Sequence, residues 1–285
     1  MAQKLEVFQA LWAMERRSAK VDEWSLDTKV RMISDAGYDG IDVVYGDPNG
    51  EGIGPLLREF GLASTVTAFP KGVDDLGPAI ELAQDLGSRH LNIIGQVYPF
   101  TVAEGAEYIN RWLDDCERAG VDVTIETHRD CITTDMLYTL QLMDAVPRMR
   151  MCADLSHFVV GREFSWPIDD IVHSQIQQVL DRAESFQGRV ASREQVQIQI
   201  SFPHHREWLE LFQAWWRRGF ESWRKRSGPD DTLNFLCELG PKEYAISGPD
   251  GEELSDRWEE ALMIKASVRN IWSELDISPH PSPDR

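Results

Sequence analysis

Three acids in the second half of the chain each follow an apolar run. Glu126 closes Val123-Thr124-Ile125, Asp154 closes Cys152-Ala153, and Glu238 closes Phe235-Leu236-Cys237. A charge at the end of a buried strand is costly unless it is paired or bound to a cation. Three carboxylates brought to one place repel, and each is pushed toward protonation. A divalent cation removes that conflict. Two Glu, one Asp and a neutral donor suit an ion with a preference for oxygen better than they suit a structural zinc. Mn²⁺ is the expected ion, with Mg²⁺, Co²⁺ and Zn²⁺ as alternatives, and Gln187 is the expected neutral donor. Read singly, each acid is also a helix cap or an arginine's partner; the recurrence at three strand ends is what points to a metal. His128 and His157 follow two of these acids closely. Arg129 and Arg189 are placed either to bind a substrate oxygen or to neutralise the acids.

Such residues need a scaffold that brings strand ends together. Short β-type runs alternate with longer helical runs along the whole chain. The strand-like runs are Leu5–Ala13, Gly40–Tyr45, Leu62–Phe69, His90–Gly95, Val121–Thr127, Met149–Asp154, Ser185–Val190 and Leu233–Glu238. The helical runs are Trp24–Ala36, Gly52–Phe60, Val73–Leu86, Val102–Ala119, Thr133–Ala145, Ile168–Ala183, Arg206–Arg226 and Leu254–Leu275, several of them closed by glycine. Eight strand–helix units predict an α/β fold, a single (β/α)8 barrel over residues 1–278, with a loose Pro-rich tail at 279–285. An open doubly wound sheet is the alternative, but it calls for a glycine-rich turn after the first strand. Here Met14-Glu15-Arg16-Arg17 stands instead.

Composition narrows the function further. The chain has 285 residues, 42% hydrophobic and 27% charged, enough for one full-sized core. Acids outnumber bases 48 to 29, a formal charge of −19, which argues against nucleic acid or an anionic membrane as the main partner. No apolar run approaches a membrane span, and Gln3, Lys4 and Glu6 interrupt any secretory pattern. Cys116, Cys131, Cys152 and Cys237 form no CxxC pair, so reduced thiols in a cytoplasmic protein are expected. Trp12 and Phe69 are placed to stack on a sugar ring or to pack in the core. Glu163 is a further candidate wall of the pocket. The stretch 191–205 is long enough for a lid, and it carries the adjacent His204 and His205. The helix with Trp208, Phe212, Trp215, Trp216, Phe220 and Trp223 reads as core or as an oligomer contact, so a homo-oligomer is one expectation.

The ordered set of motifs resembles the xylose isomerase-like barrel superfamily, the sugar phosphate isomerase/epimerase group. It rests on Glu126-Thr127-His128-Arg129, Asp154-Leu155-Ser156-His157 and Glu238-Leu239-Gly240-Pro241, with Ala36-Gly37-Tyr38-Asp39-Gly40-Ile41-Asp42 in support, and it spans Leu5 to Leu275. The resemblance implies that Glu126, Asp154, a seventh-strand residue and Glu238 hold the metal. It also implies that Glu126 and Glu238 act as acid and base, and that His157, Arg189 and His128 bind a carbohydrate-like substrate. The family's third ligand is usually His; this sequence offers Gln187, or in another register Gln197 or Gln199. The DNA-cleaving branch, with more His ligands and a basic groove, fits the charge poorly. The implied activity is isomerisation or epimerisation of a sugar or sugar-like keto compound through a metal-stabilised enediolate. A dehydratase or lyase on a keto sugar or a polyol-derived ketone is the runner-up. A non-catalytic sugar-binding barrel or a subunit of a complex is the third reading.

Overall fold

Strand β1 (Lys4–Ala10) pairs in parallel with β2 (Gly40–Val44) on one side and with β8 (Thr232–Cys237) on the other. Between them run β3 (Ala63–Ala68), β4 (Leu91–Ile93), β5 (Val123–Glu126), β6 (Met151–Ala153) and β7 (Ala183–Gln187), each bonded to its sequence neighbour, so the sheet closes on itself as a barrel. The computed structural model describes residues 2–18, 20, 22–50 and 52–277. The expected barrel is observed, and the expected tail at 279–285 lies outside the described residues.

The outer layer consists of α1 (Leu26–Asp35), α2 (Ile53–Phe60), α3 (Gly77–Leu86), α4 (Val102–Ala119), α5 (Met136–Ala145), α6 (Leu155–Gly161), α7 (Asp170–Leu180), α8 (Arg206–Arg226) and α9 (Arg257–Ile277). Capping chemistry fixes several helix starts inside the expected ranges. Ser25 accepts the Thr28 N–H, Asp135 accepts that of Tyr138, and Asp169 accepts that of Val172. Thr101 and Glu104 form a reciprocal capping box at α4, and Gly120 closes that helix at φ 67°.

Three expectations need correction. The strand expected over Leu5–Ala13 ends at Ala10, because Trp12–Met14 curls into a 3₁₀ turn. The helix expected over Ile168–Ala183 stops at Leu180, and Ala183 already begins β7, which ends at Gln187 rather than Val190. The seven-residue helix α6 had no counterpart in the reading; it starts at Asp154, whose carboxylate caps it through the Ser156 N–H.

Alternation along the strands separates two environments. Ile41, Val43, Val66, Leu91, Ile93, Ile125, Phe186, Leu233 and Phe235 join the helices in the main hydrophobic core. All six aromatics singled out on α8 are buried there, so they serve the core. The opposite parity faces the lumen, where apolar filling is confined to a small cluster of Phe8, Ala10, Ala13 and Leu236. Gly40 is required at its position: a Cβ there would come within 2.2 Å of the Phe8 ring. Around Phe8 the lumen is largely polar, with Asp42, Thr65, Thr67, His90, Asn92, Ser185 and Asn234 lining a cavity of about 10 Å³. Asp42 accepts from Thr65 at 2.7 Å and Thr67 at 3.1 Å, and burial raises its carboxyl to about 6.

His90 at the base of the lumen meets Asn234 across it at 3.2 Å, and burial lowers its imidazole to about 4 from an ordinary 6.5. The unfolded chain therefore takes up a proton below pH 6.5 that folded His90 refuses until about pH 4. Its contribution is present above pH 6.5 and is lost as pH falls through the lower value. His90→Gln should flatten this part of the acid limb, by on the order of 3 kcal/mol over the full window. Urea unfolding of both proteins from pH 7 to 4 measures it; parallel limbs would reject the assignment.

Candidate active site

Strand parity carries the inward set upward to the mouth. On β5, Thr124 is followed two residues later by Glu126. On β4, Asn92 follows His90 in the same phase, and on β6 Cys152 is followed by Asp154. Strand β7 carries an irregularity against β6: Met151 pairs with Ala183 but Cys152 with Ser185, so one extra residue, Glu184, enters β7. That bulge brings Ser185 and Gln187 into phase with Cys152 and Asp154. Hydrogen bonds across the lumen fix the arrangement. Gln187 donates to Glu126 Oε2 at 3.0 Å, and Asn92 donates to the same oxygen. Thr124 donates to Asn92 at 3.2 Å.

Candidate ligand atoms of Glu126, Asp154 and Glu238 all lie within 4.8 Å of one another. Each carboxylate has one oxygen held and one left over. The first Asp154 oxygen accepts from the Ser156 N–H at 2.9 Å; its Oδ2 has no hydrogen-bond partner. Glu238 Oε1 pairs with Arg189 at 2.9 Å; its Oε2 has none. Glu126 Oε1 and Gln187 Oε1 are likewise buried and unpaired. Buried oxygens without donors are costly, so four at one mouth mark a position for something electropositive. The donor set fits a divalent ion with a preference for oxygen. Crowding has the expected electrostatic result. Burial, then Glu238 and Asp154, push the Glu126 carboxyl well above its usual range. Burial raises Asp154 against the opposing pull of Arg189, and it raises Glu238 to about 7.

Arg189 is buried and pairs with Glu238, reaches Asp154 at 3.9 Å, and keeps Nη1 unpaired. Burial opposes its charge, yet Glu238 and Asp154 hold its pKa above the ordinary value. His157 comes within 3.4 Å of Asp154 and leaves both ring nitrogens without hydrogen bonds. The His128 ring packs against it, tilted by 47° with centroids 4.0 Å apart. Burial holds both imidazoles neutral, His128 at about 4. Glu126, His128 and His157 thus form a second compact donor group that shares Glu126 with the first.

The structure brings together every residue of the expected site, and it sets other candidates apart. Gln197 uses both ends of its amide on the Gly240 backbone, at 3.1 and 2.6 Å. Gln199 lies in the same loop, buried; its backbone carbonyl accepts from His205 Nδ1 at 2.7 Å and its side-chain Oε1 makes no hydrogen bond, while His204 is exposed. The 191–205 loop is therefore tied down, not poised as a lid, because Ile198 bonds to Val190 and Gln197 to Gly240. Glu163 is exposed and 3.8 Å from Arg193. Phe69 is 38% exposed and Trp12 packs on Tyr244 at 5.8 Å, so neither is a plain core residue. Cys152 is buried below Asp154 and burial keeps it a thiol. Asn92 and Tyr244 were not singled out from the sequence. The only signal for Asn92 was a polar residue two positions beyond His90 in an apolar strand, and Tyr244 gave none.

Residues 30–214 match a family model described as the xylose isomerase-like TIM barrel. Similar solved structures include a xylose isomerase-like TIM barrel protein from Mycobacterium smegmatis in complex with magnesium, 14% identical, TM-score 0.60, covering 93% of this chain and 97% of that one. A sugar phosphate isomerase/epimerase from Parabacteroides distasonis is 10% identical, TM-score 0.61, covering 95% and 96%. The probable 3-DHS dehydratase AsbF from Bacillus anthracis is 14% identical, TM-score 0.56, covering 94% and 98%. No curated protein sequence matches the chain.

If the carboxylates form one ion site, metal-stripped protein should take up one equivalent of Mn²⁺. At a hundred times its Kd the ion should stabilise the fold by about 3 kcal/mol. Asp154→Asn keeps a capping oxygen for Ser156 but removes the charge; it and Glu238→Ala should each lose the uptake. Calorimetry and thermal melting read this directly, and full uptake by both variants would exclude these residues as ligands.

Proposed function

This chain belongs to the xylose isomerase-like TIM barrel family, and from that membership and the geometry of the mouth we infer a divalent-metal-dependent isomerase or epimerase of a sugar or sugar-like keto compound. The observation that carries the reading is the convergence of Glu126, Asp154 and Glu238, with ligand atoms within 4.8 Å of one another, beside Gln187, whose Oε1 is buried without a hydrogen bond. These four residues would hold the ion, with Mn²⁺ preferred. When bound, a divalent ion supplies Lewis-acid stabilisation of negative charge developing on substrate oxygens.

The chain's own residues supply the rest. Glu126 and Glu238 would be both ligands and acid/base groups, their carboxylates flanking the place where a proton next to a carbonyl is taken and returned. Asn92 and Gln187 fix the orientation of Glu126 by holding its other oxygen. Arg189 fixes Glu238 in the same way and also donates to the Glu238 carbonyl at 3.2 Å. Its unpaired Nη1 and the two free nitrogens of neutral His157 are positioned to hold a substrate hydroxyl or a developing oxyanion. His128, packed against His157, narrows the same wall.

One observation favours a second reading. Gln187, not the His that the resemblance leads one to expect, ends the seventh strand, and a probable dehydratase is among the similar structures. Proton removal followed by loss of a β-hydroxyl makes the same site a dehydratase or lyase. The third reading, a non-catalytic barrel, loses its motive because the α8 aromatics are buried.

Solvent deuterium incorporation across a panel of ketoses in heavy water tests both reactions. Incorporation without loss of water identifies an isomerase or epimerase; loss of water identifies a dehydratase. Glu126→Gln should reduce either rate by about 10²–10⁴-fold with the fold intact by circular dichroism. Near-full turnover in that variant would remove Glu126 from the chemistry.

A further inference from the structure

Arg129 stands at the outer edge of the mouth, exposed, and its side chain makes no hydrogen bond or ion pair among the described residues. Its guanidinium lies 5.2 Å from the centre of the Tyr244 ring, and the Arg189 guanidinium lies 5.0 Å from the same ring. Tyr244 therefore links the buried arginine of the inner site to the free arginine of the rim.

Both supports are built. Tyr244 sits in a turn closed by its own N–H to the Pro241 carbonyl at 2.7 Å, and Gln197 grips Gly240 beside it from the neighbouring loop. Trp12 packs edge-on against the ring. On the other side, the loop after β5 is folded by its own side chains. Thr133 accepts the His128 N–H at 3.1 Å and donates to the Glu126 carbonyl; Cys131 donates to the His128 carbonyl; Thr134 accepts the Asp130 N–H. Asp130, next in the chain, turns its carboxylate to the Tyr98 hydroxyl at 2.9 Å. Arg129 is thus aimed over the mouth by a fixed loop while its acidic neighbour bonds elsewhere.

Charge completes the case. Arg189 is already engaged with Glu238 and Asp154, so Arg129 is the cation at the edge of the site whose side chain pairs with no acid among the described residues. It is close enough to lower the pKa values of Asp154 and His157. We propose that Arg129, stacked on Tyr244, is a substrate-binding residue that takes an acidic group, carboxylate or phosphate, carried by the substrate away from the reacting carbon. The inference rests on the metal-dependent keto-compound reading of the mouth and narrows its substrate to an anion.

Deuterium incorporation by Mg²⁺-loaded protein is compared for fructose, fructose 6-phosphate and 5-ketogluconate, in the wild type and in Arg129→Gln. At least one charged ketose should exceed fructose in kcat/KM by about 10- to 100-fold, the worth of one charge-assisted hydrogen bond. Arg129→Gln should bring that ketose down to the fructose level, through KM more than kcat. Whichever charged ketose shows the preference identifies the acidic group. Absence of a preference in the wild type, or its survival in Arg129→Gln, overturns the subsite and leaves the ketose reading standing. Exchange of none of the three counts against the ketose reading alone. The subsite is then decided by titrating inorganic phosphate and acetate into both Mg²⁺-loaded proteins: weaker binding by about 10-fold in Arg129→Gln upholds it, and equal binding rejects it.

Discussion

Three carboxylates with candidate ligand atoms within 4.8 Å of one another define the problem the rest of the mouth is arranged around. Like charges at that separation in a buried place cannot all stay ionised without compensation. Each acid has its own partial remedy. Glu238 has Arg189, Glu126 has the amides of Asn92 and Gln187, and Asp154 has the first turn of α6. All three remedies hold one oxygen and leave the other without a hydrogen bond, the Asp154 one with His157 at 3.4 Å and Arg189 at 3.9 Å. The result is a set of oxygen donors whose orientations are fixed by their neighbours, which is the preorganisation a metal site would need.

The lumen beneath the mouth follows from the same constraint. Barrel interiors are usually filled by branched apolar side chains. This one carries Asp42, Thr65, Thr67, His90, Asn92, Thr124, Ser185 and Asn234, with Phe8 as the main apolar filler. Hydrogen bonds among these groups run upward from Thr124 through Asn92 to Glu126. A polar lumen contributes little hydrophobic stabilisation, and the outer interface offsets it. There α8 and α9 bury Trp208, Phe212, Trp215, Trp216, Phe220, Trp223 and Trp272 in the main core, with Phe220 packed on Phe186 of β7 and Trp216 on Phe235 of β8. Stability is concentrated between the helices and the strands, and the polar interior is free to position the site.

The rim has a different character. Arg129, Tyr244 and Trp12 come from three separate loops and meet through ring and guanidinium faces. Such contacts are tolerant of small shifts, unlike the hydrogen-bonded layer below. Selectivity for the distal part of a substrate is therefore separable from the chemistry at the inner carboxylates.

Periodicity and composition alone gave the eight strand–helix units, the closed sheet and the three acids at strand ends, because each of these is a local pattern within about ten residues. The helix after Asp154 escaped notice because its seven residues are too few to display a period, and most are buried. The inserted Glu184 escaped because a bulge is a relation between two strands. Asn92 acquires its meaning only from Glu126, 34 residues away, and Gln187 from the same carboxylate 61 residues away. Tyr244 joins Arg129 only where two loops converge. The amino-acid order determined which side chains are acidic and which strand faces carry them. Closure of the sheet decided which acids meet, which oxygens stay without a hydrogen bond and which arginine makes no ion pair among the described residues, since those depend on distances between strands that no local spacing encodes.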